Sequence, residues 1–336
     1  MSGSTYIDCV YKQTASGSLY LRVYPSDAAF QGATSDGNPW SLLIHGGGFL
    51  HGAHTSPYWW HLVPFLAKGI HVVSIAYRFA PHVTYEEIVQ DCEDAYEWCK
   101  THLSETLRNG SHRPVATDRC VLMGESAGGT LALTLGTLVR PRPKCVVDCY
   151  GLVDFTATYP FPVMTFPIDG TVATEEEILG EVEARDTSHA AYWCPGDIAR
   201  SDAAAIEARH GTLGTPFQVD QRAKLQFEIF KYLFPRHLST STLFNKASHV
   251  SLDTYTAELQ RHSVTNMVDK EFPPTFILHG TADNAVKWIQ SEALAAKLRK
   301  LGVRAIETYV EGAEHCMDMA WTVSGFLGGM DSLTPC

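Results

Sequence analysis

Gly124-Glu125-Ser126-Ala127-Gly128-Gly129 follows a short apolar run, Arg119–Met123, and opens a small-residue helical pattern over Thr130–Leu135. A serine framed as G-x-S-x-G between a strand and a helix reads as a nucleophile elbow. The turn is tight, and a Cβ at either flanking position would strike the neighbouring strand or helix, which is why both flanks are glycine. Such a turn lifts Ser126 out of the chain with its Oγ exposed. It also aims the first N–H groups of the following helix at the same spot.

Other stretches give the serine its company. His45-Gly46-Gly47-Gly48-Phe49 ends the strand-like run Trp40–Ile44, Phe276–Gly280 runs into Thr281-Ala282-Asp283, and Gly312-Ala313-Glu314-His315 comes last. The order is glycine loop, serine, aspartate, histidine, the order in which an elbow serine meets its triad partners.

Each of these residues has a chemical reason to be there. A serine hydroxyl is a poor nucleophile at neutral pH and needs a base, so Ser126 calls for a histidine. Among the 15 histidines only His315 has the right place in the order, in a loop after a strand. It would accept the serine proton and hand it to the leaving group. Asp283 is expected to hold the imidazole tautomer and stabilise the imidazolium. The rival acids are Asp154 and Glu314. The backbone N–H groups of Gly47, Gly48 and Ala127 are expected to form an oxyanion hole, since glycine lets backbone approach substrate closely. Glu125 has no catalytic role here, only a buried structural hydrogen bond. His45, His51 and His54 crowd the glycine loop, but no carboxylate or cysteine completes a metal spacing, so no metal is expected.

The rest of the chain alternates strands and helices. Strands are expected at Tyr6–Tyr11, Leu19–Tyr24, Trp40–Ile44, Ile70–Tyr77, Cys145–Tyr150, Thr275–His279 and Arg304–Val310. Helices are expected at Tyr58–Leu66, Thr84–Leu107, Lys287–Leu301 and Cys316–Leu327. Between residues 154 and 271 the alternation stops. Prolines and aromatics from Tyr159 to Pro167 precede helical segments at Glu175–Ala184, Pro195–Glu207 and Gln221–Leu233. The expected architecture is α/β: a doubly wound, mostly parallel sheet from residues 1–153 and 272–336, with a mostly helical cap inserted at 154–271. All the candidate motifs fall at the C-terminal ends of strands, where such sheets place their sites.

Composition narrows the partners. A net charge of −11 argues against nucleic acid, which needs a basic face. No apolar stretch reaches the roughly 18 residues of a membrane span. The nine cysteines are scattered, and Met1–Tyr6 lacks the basic and apolar regions of a secretory signal, so reduced thiols and a cytoplasmic location are expected. The sequence leaves monomer and homodimer both open.

The motifs resemble those of the hormone-sensitive-lipase-like branch of the α/β-hydrolase family. His45–Phe49 is similar to its HGGG loop, Tyr77-Arg78-Phe79-Ala80-Pro81 to its Y-R-L-A-P segment, and Gly124–Gly129 to its G-D-S-A-G-G, with Glu125 replacing the usual aspartate. The stretch His279–Val286 departs from the family's D-P-L-R-D-E. The resemblance covers about residues 40–150 and 272–320. It implies hydrolysis of esters with short to medium acyl chains, without a cofactor. The aromatic cap start, with Trp59 and Trp60 near the glycine loop, is expected to line an apolar pocket. The alternatives are a lactonase, amidase or acyltransferase of secondary metabolism using the same triad, and a hydrolase-fold protein that only binds small molecules. His315 weighs against the last.

Overall fold

The computed structural model describes residues 6–31, 37–55, 57, 59–157, 167–191 and 221–320, with residues 59, 319 and 320 described by backbone only. Two strands, β1 (Ile7–Thr14) and β2 (Gly17–Tyr24), come first, then β3 (Asn38–Ile44), α1 (Trp59–Ala67), β4 (His71–Ile75), α2 (Tyr85–Asn109), β5 (Val115–Glu125), α3 (Ala127–Leu138) and β6 (Cys145–Cys149). A helical stretch follows, with α4 (Glu175–Ala184), α5 (Gln221–Leu233), α6 (Ser239–Leu243), α7 (Leu252–His262) and α8 (Val264–Met267). The alternation resumes with β7 (Thr275–Gly280), α9 (Ile289–Lys300) and β8 (Ala305–Val310).

The strands form one sheet in the order β1-β2-β4-β3-β5-β6-β7-β8. The first two pairings are antiparallel and all the others are parallel. The central strand β3 is buried along its whole length, as expected of a parallel strand covered on both faces. Alternate residues serve opposite faces. Leu42, Ile44, Val73, Ile75 and Leu122 join a core shared with α2, α3 and α9, while Leu43, Val72 and Met123 pack with Trp60 and Leu62 of α1. The mostly parallel, doubly wound sheet expected from the sequence is therefore the observed one.

Local signals set several boundaries. Thr84 caps α2 rather than belonging to it. Its hydroxyl accepts from the Glu87 N–H at 3.3 Å and Glu87 reaches back to the Thr84 N–H at 2.9 Å, a capping box. Thr174 and Glu177 do the same for α4. The expected Pro195–Glu207 helix lies outside the described residues, as does the Cys316–Leu327 helix beyond residue 320; its described part is a 3-10 turn, Met317–Ala320. Three further helices lie beyond those the sequence pattern predicts: α6, α7 and α8. The α7 signal was present, a Ser251 cap before Leu252, Tyr255 and Leu259 at helical spacing. It was hidden by the polar residues between them. The short α8 packs against α3, α7 and α9.

Truncating the centre of this sheet should be costly. Leu42→Ala is expected to lower the unfolding free energy by about 2–5 kcal/mol, the usual range for a fully buried leucine. Urea denaturation followed by tryptophan fluorescence measures it.

Candidate active site

The site begins with a backbone conformation. Strand β5 ends at Glu125, α3 begins at Ala127, and Ser126 between them has φ 51° and ψ −122°. A non-glycine residue adopts such angles only where its surroundings over-determine them. A Cβ on Gly124 would run into the Gly128 carbonyl, and one on Gly128 into the carbonyls of Ile44 and His45. The turn is thus pressed against the end of β3, and the Ser126 N–H is held by the Cys149 carbonyl of β6 at 2.8 Å.

Three expected residues come together around the serine. The Ser126 hydroxyl lies 2.9 Å from Nε2 of His315, and Nδ1 of His315 lies 2.7 Å from Oδ2 of Asp283. A carboxylate can only accept, so Nδ1 carries the proton and Nε2 is free to receive the serine's. The rivals are elsewhere engaged: Asp154 accepts from Thr156 and Ser263, and Glu314 is exposed.

Asp283 is buried and heavily bonded. Its Oδ1 accepts from the backbone N–H groups of Ala285 and Val286, both at 2.8 Å. Its Oδ2 also lies 3.1 Å from Nε2 of His279, a residue the sequence left without a role. That nitrogen faces the Val286 carbonyl as well, at 2.9 Å, so it carries a proton for both acceptors while Nδ1 accepts from Ser291. Burial alone would raise the Asp283 carboxyl. Hydrogen bonds from His279 and His315, with the Val286 N–H, hold it instead well below the usual carboxylate range. The acid is thereby kept ionised beside His315. The only trace of His279 in the sequence is its position four residues before the aspartate.

Beside Ser126 and His315 opens a cavity of about 720 Å³, whose walls include Phe155, Phe234, Leu238, Leu243, Tyr255 and Leu259. Gly48 and Ala127 line it next to the serine; Gly47 does not. Among the described residues, no acceptor takes the N–H of Gly47 or Gly48, and Ala127 is the first residue of α3. Gly47 has φ 109°, and a Cβ there would strike the His51 carbonyl, so this turn requires glycine.

The loop is braced by the Tyr77–Pro81 segment. The Tyr77 hydroxyl donates to the His45 carbonyl at 2.8 Å, its ring stacks on His45 with centroids 4.3 Å apart, and the Ala80 N–H donates to Phe49. Arg78 is anchored by Asp91 of α2 through three bonds, two from its guanidinium at 2.8 and 2.9 Å and one from its backbone N–H at 3.0 Å.

The other residues singled out have distinct places. The Nδ1 of His45 bonds the Gly46 carbonyl, His51 packs on Phe230 and His54 stacks on Tyr20, so the three rings do not converge. Burial lowers His45 and His51 to about 4 and His54 to about 3. Trp60 does not line the cavity, contrary to expectation. It is buried on the opposite side of the elbow, its indole donating to Asp318 at 3.1 Å, because α1 turns that face to the sheet. The Trp59 side chain and residues 158–166 lie outside the described residues. Among the described residues one group, Glu86, Glu258 and the buried His262, gathers metal-ligand atom types, but Arg261 already bridges its two carboxylates.

Comparison with known proteins agrees with this fold. A family model described as alpha/beta hydrolase fold matches residues 41–208, and a second, BD-FAE, matches 238–298. The chain belongs to the alpha/beta hydrolase fold family, with the motifs of its hormone-sensitive-lipase-like esterase branch. Among solved structures, an esterase from Thermogutta terrifontis superposes with a TM-score of 0.56 at 18% identity, covering 98% of this chain and 90% of that one. The same esterase phosphorylated by paraoxon gives 0.56 at 16% identity, covering 98% and 92%. These likenesses concern the fold. Among curated proteins, the non-reducing polyketide synthase ausA of Aspergillus calidoustus is 26% identical over 311 residues, covering 85% of this chain. The 5-methylorsellinic acid synthase of Aspergillus terreus is 28% identical over 310 residues, covering 84%. The chain spans only 12% and 11% of the lengths of these two relatives. No helix among the described residues is long and apolar enough to cross a membrane.

Glu125 provides a check on the buried electrostatics. Burial, aided by the nearby Asp318 charge, pushes its carboxyl from 4.5 up to about 8. The folded state therefore keeps a proton that the unfolded chain loses above 4.5. Stability from this group is full below that value and is lost as pH rises toward 8. Glu125→Gln, which keeps the shape and cannot ionise, should flatten the fall in Tm between pH 5 and 8. Parallel Tm profiles for the two proteins would contradict it.

Proposed function

We propose that the protein is a serine hydrolase of carboxylic esters, acting through an acyl-enzyme on small to medium apolar substrates. The observation that carries this reading is the unbroken chain of contacts from Ser126 Oγ through His315 to Asp283, at 2.9 and 2.7 Å, opening on an apolar cavity.

In this mechanism His315 Nε2 takes the Oγ proton as Ser126 attacks the ester carbonyl. The tetrahedral oxyanion is met by the N–H groups of Gly47, Gly48 and Ala127, already oriented by the elbow and the glycine loop. The ester C–O bond then breaks, and the imidazolium gives its proton to the departing alcohol. Water enters, loses a proton to Nε2 and adds to the acyl carbon; collapse returns the proton to Ser126 and frees the carboxylic acid. Asp283 remains ionised throughout and stabilises the imidazolium. The segment 154–271 acts as the cap, with Phe155, Phe234 and Leu238 bounding the acyl or alcohol group.

A second reading keeps the triad and changes the bond or acceptor: a lactonase, amidase or acyltransferase working on an intermediate of secondary metabolism. Its support is the similarity to part of several non-reducing polyketide synthases. Product analysis with added alcohols or amines separates it from simple hydrolysis.

The test is turnover of a p-nitrophenyl ester series of increasing acyl length. Wild type should show an optimum at short to medium chains. Ser126→Ala should lose activity by about 10³-fold or more, and Asp283→Asn by about 10⁴-fold. An inert wild type, or an equally active Ser126→Ala, would remove the esterase assignment.

A further inference from the structure

Behind the triad stands a second row of buried polar groups that the hydrolytic mechanism does not use. His61 of α1 has Nδ1 3.1 Å from Oε2 of Glu125 and Nε2 3.8 Å from Oδ2 of Asp318. Asp318 also accepts from the Trp60 indole at 3.1 Å and from the Tyr150 hydroxyl at 2.5 Å. His61, Asp318, Tyr150 and Trp60 are all buried, and Glu125 is 9% exposed. The two acids of this row are neighbours of the two reacting groups. Glu125 directly precedes Ser126, and Asp318 follows His315 by three residues in the turn that ends the loop.

Tyr150 links the rows. It follows β6 with a left-handed φ of 47°, and its N–H is held by the Leu278 carbonyl. Its ring meets the His315 ring edge-on, with centroids 4.9 Å apart, while its hydroxyl is committed to Asp318. Asp318 thus ties the histidine loop to α1 on one side and to the end of β6 on the other.

Stability alone is a poor reason for such a row. Buried ionic groups are often no better than apolar side chains of the same volume, because desolvation offsets their attraction. Asp318 bears this cost: burial raises its carboxyl, and the hydrogen bonds from Tyr150, from its own backbone N–H and from Trp60, with the proximity of His315, offset that only in part. The attraction between Asp318 and His315 is mutual.

We propose that Asp318 is a positioning residue for catalysis: through Tyr150 and its own turn it holds the His315 ring on Ser126, and its charge favours the imidazolium that forms as the serine attacks. The inference rests on His315 being the base. The titratable groups facing Asp318 are His61 from α1, Glu125 from β5, Cys149 and Tyr150 at the end of β6, and His315 and Cys316 from its own loop. Asp283 faces His315 from the far side.

The experiment compares pH profiles of kcat and KM for wild type, Asp318→Asn and Tyr150→Phe, all as full chains on one p-nitrophenyl ester. Asp318→Asn keeps the shape and removes the charge. It should lower kcat about tenfold with KM within about twofold, and move the acid limb of kcat/KM to lower pH by about half a unit, because the imidazolium has lost a favourable neighbour. Tyr150→Phe keeps the ring but leaves the carboxylate less supported, so it should move the limb the same way by less. A kcat loss with an unmoved acid limb would show a merely structural role and overturn the proposal, as would a wild-type profile. If Asp318→Asn fails to fold, Tyr150→Phe decides by the same criteria. A dead Ser126→Ala beside an Asp318→Asn with the wild-type profile would overturn this inference alone; an active Ser126→Ala would instead remove the triad beneath it.

Discussion

The contact between the elbow and the end of the central strand is what the rest of the site depends on. Ser126 sits at φ 51° because the chain must leave β5 and enter α3 within one residue, with Gly124 against the Gly128 carbonyl and Gly128 against the carbonyls of Ile44 and His45. Any Cβ there would push the helix off the sheet. That close approach sets the height of the serine above the strand ends. It also brings the glycine loop, which continues directly from β3, to the same point. The serine hydroxyl and the glycine loop are thereby brought to one place by one steric fit.

Around that fit the polar groups form two rows of opposite character. In front, Asp283 is supplied with more donors than its own histidine: two backbone N–H groups and His279 join His315 in holding its charge. A carboxylate so bonded stays ionised even though it is buried. Behind, burial and the nearby Asp318 charge push Glu125 up to about 8 against the one lowering bond from the Gly46 N–H. The same burial therefore gives an anion in one row and a neutral acid in the other: Asp283 has donors and His315 beside it, whereas Glu125 has the Asp318 charge beside it.

Much of this was legible in the chain because its signals are local. The glycines of the elbow and of the loop after Ile44, the continuous apolar strands and the Thr84–Glu87 capping pair each act within a few residues of themselves. The order serine, aspartate, histidine could be read because topology ties chain order to strand ends in this fold. Other features have no such local mark. His279 looks like one more residue of a buried strand, and its contact with Asp283 exists only because the β7 turn folds back through Val286. Trp60 pointed by composition to an aromatic pocket, but the rotation of α1 against the sheet sends its indole to Asp318. The cavity walls come from Phe155, Phe234 and Tyr255, scattered over a hundred residues.

The sequence by itself determined the strand–helix alternation, the mostly parallel sheet and the candidacy of Ser126, His315 and Asp283. Steric demands on glycine and the period of apolar residues are written position by position. Only the tertiary structure decided that these three residues meet within hydrogen-bond distance. It alone put His279 beside the aspartate, turned Trp60 away from the cavity and set Glu125, His61, Asp318 and Tyr150 in a row behind the triad. Those arrangements join residues as far apart as 258 positions, Trp60 and Asp318, and depend on how helices and loops settle on the sheet. Such distant packing is a property of the whole fold, and no short stretch of chain encodes it.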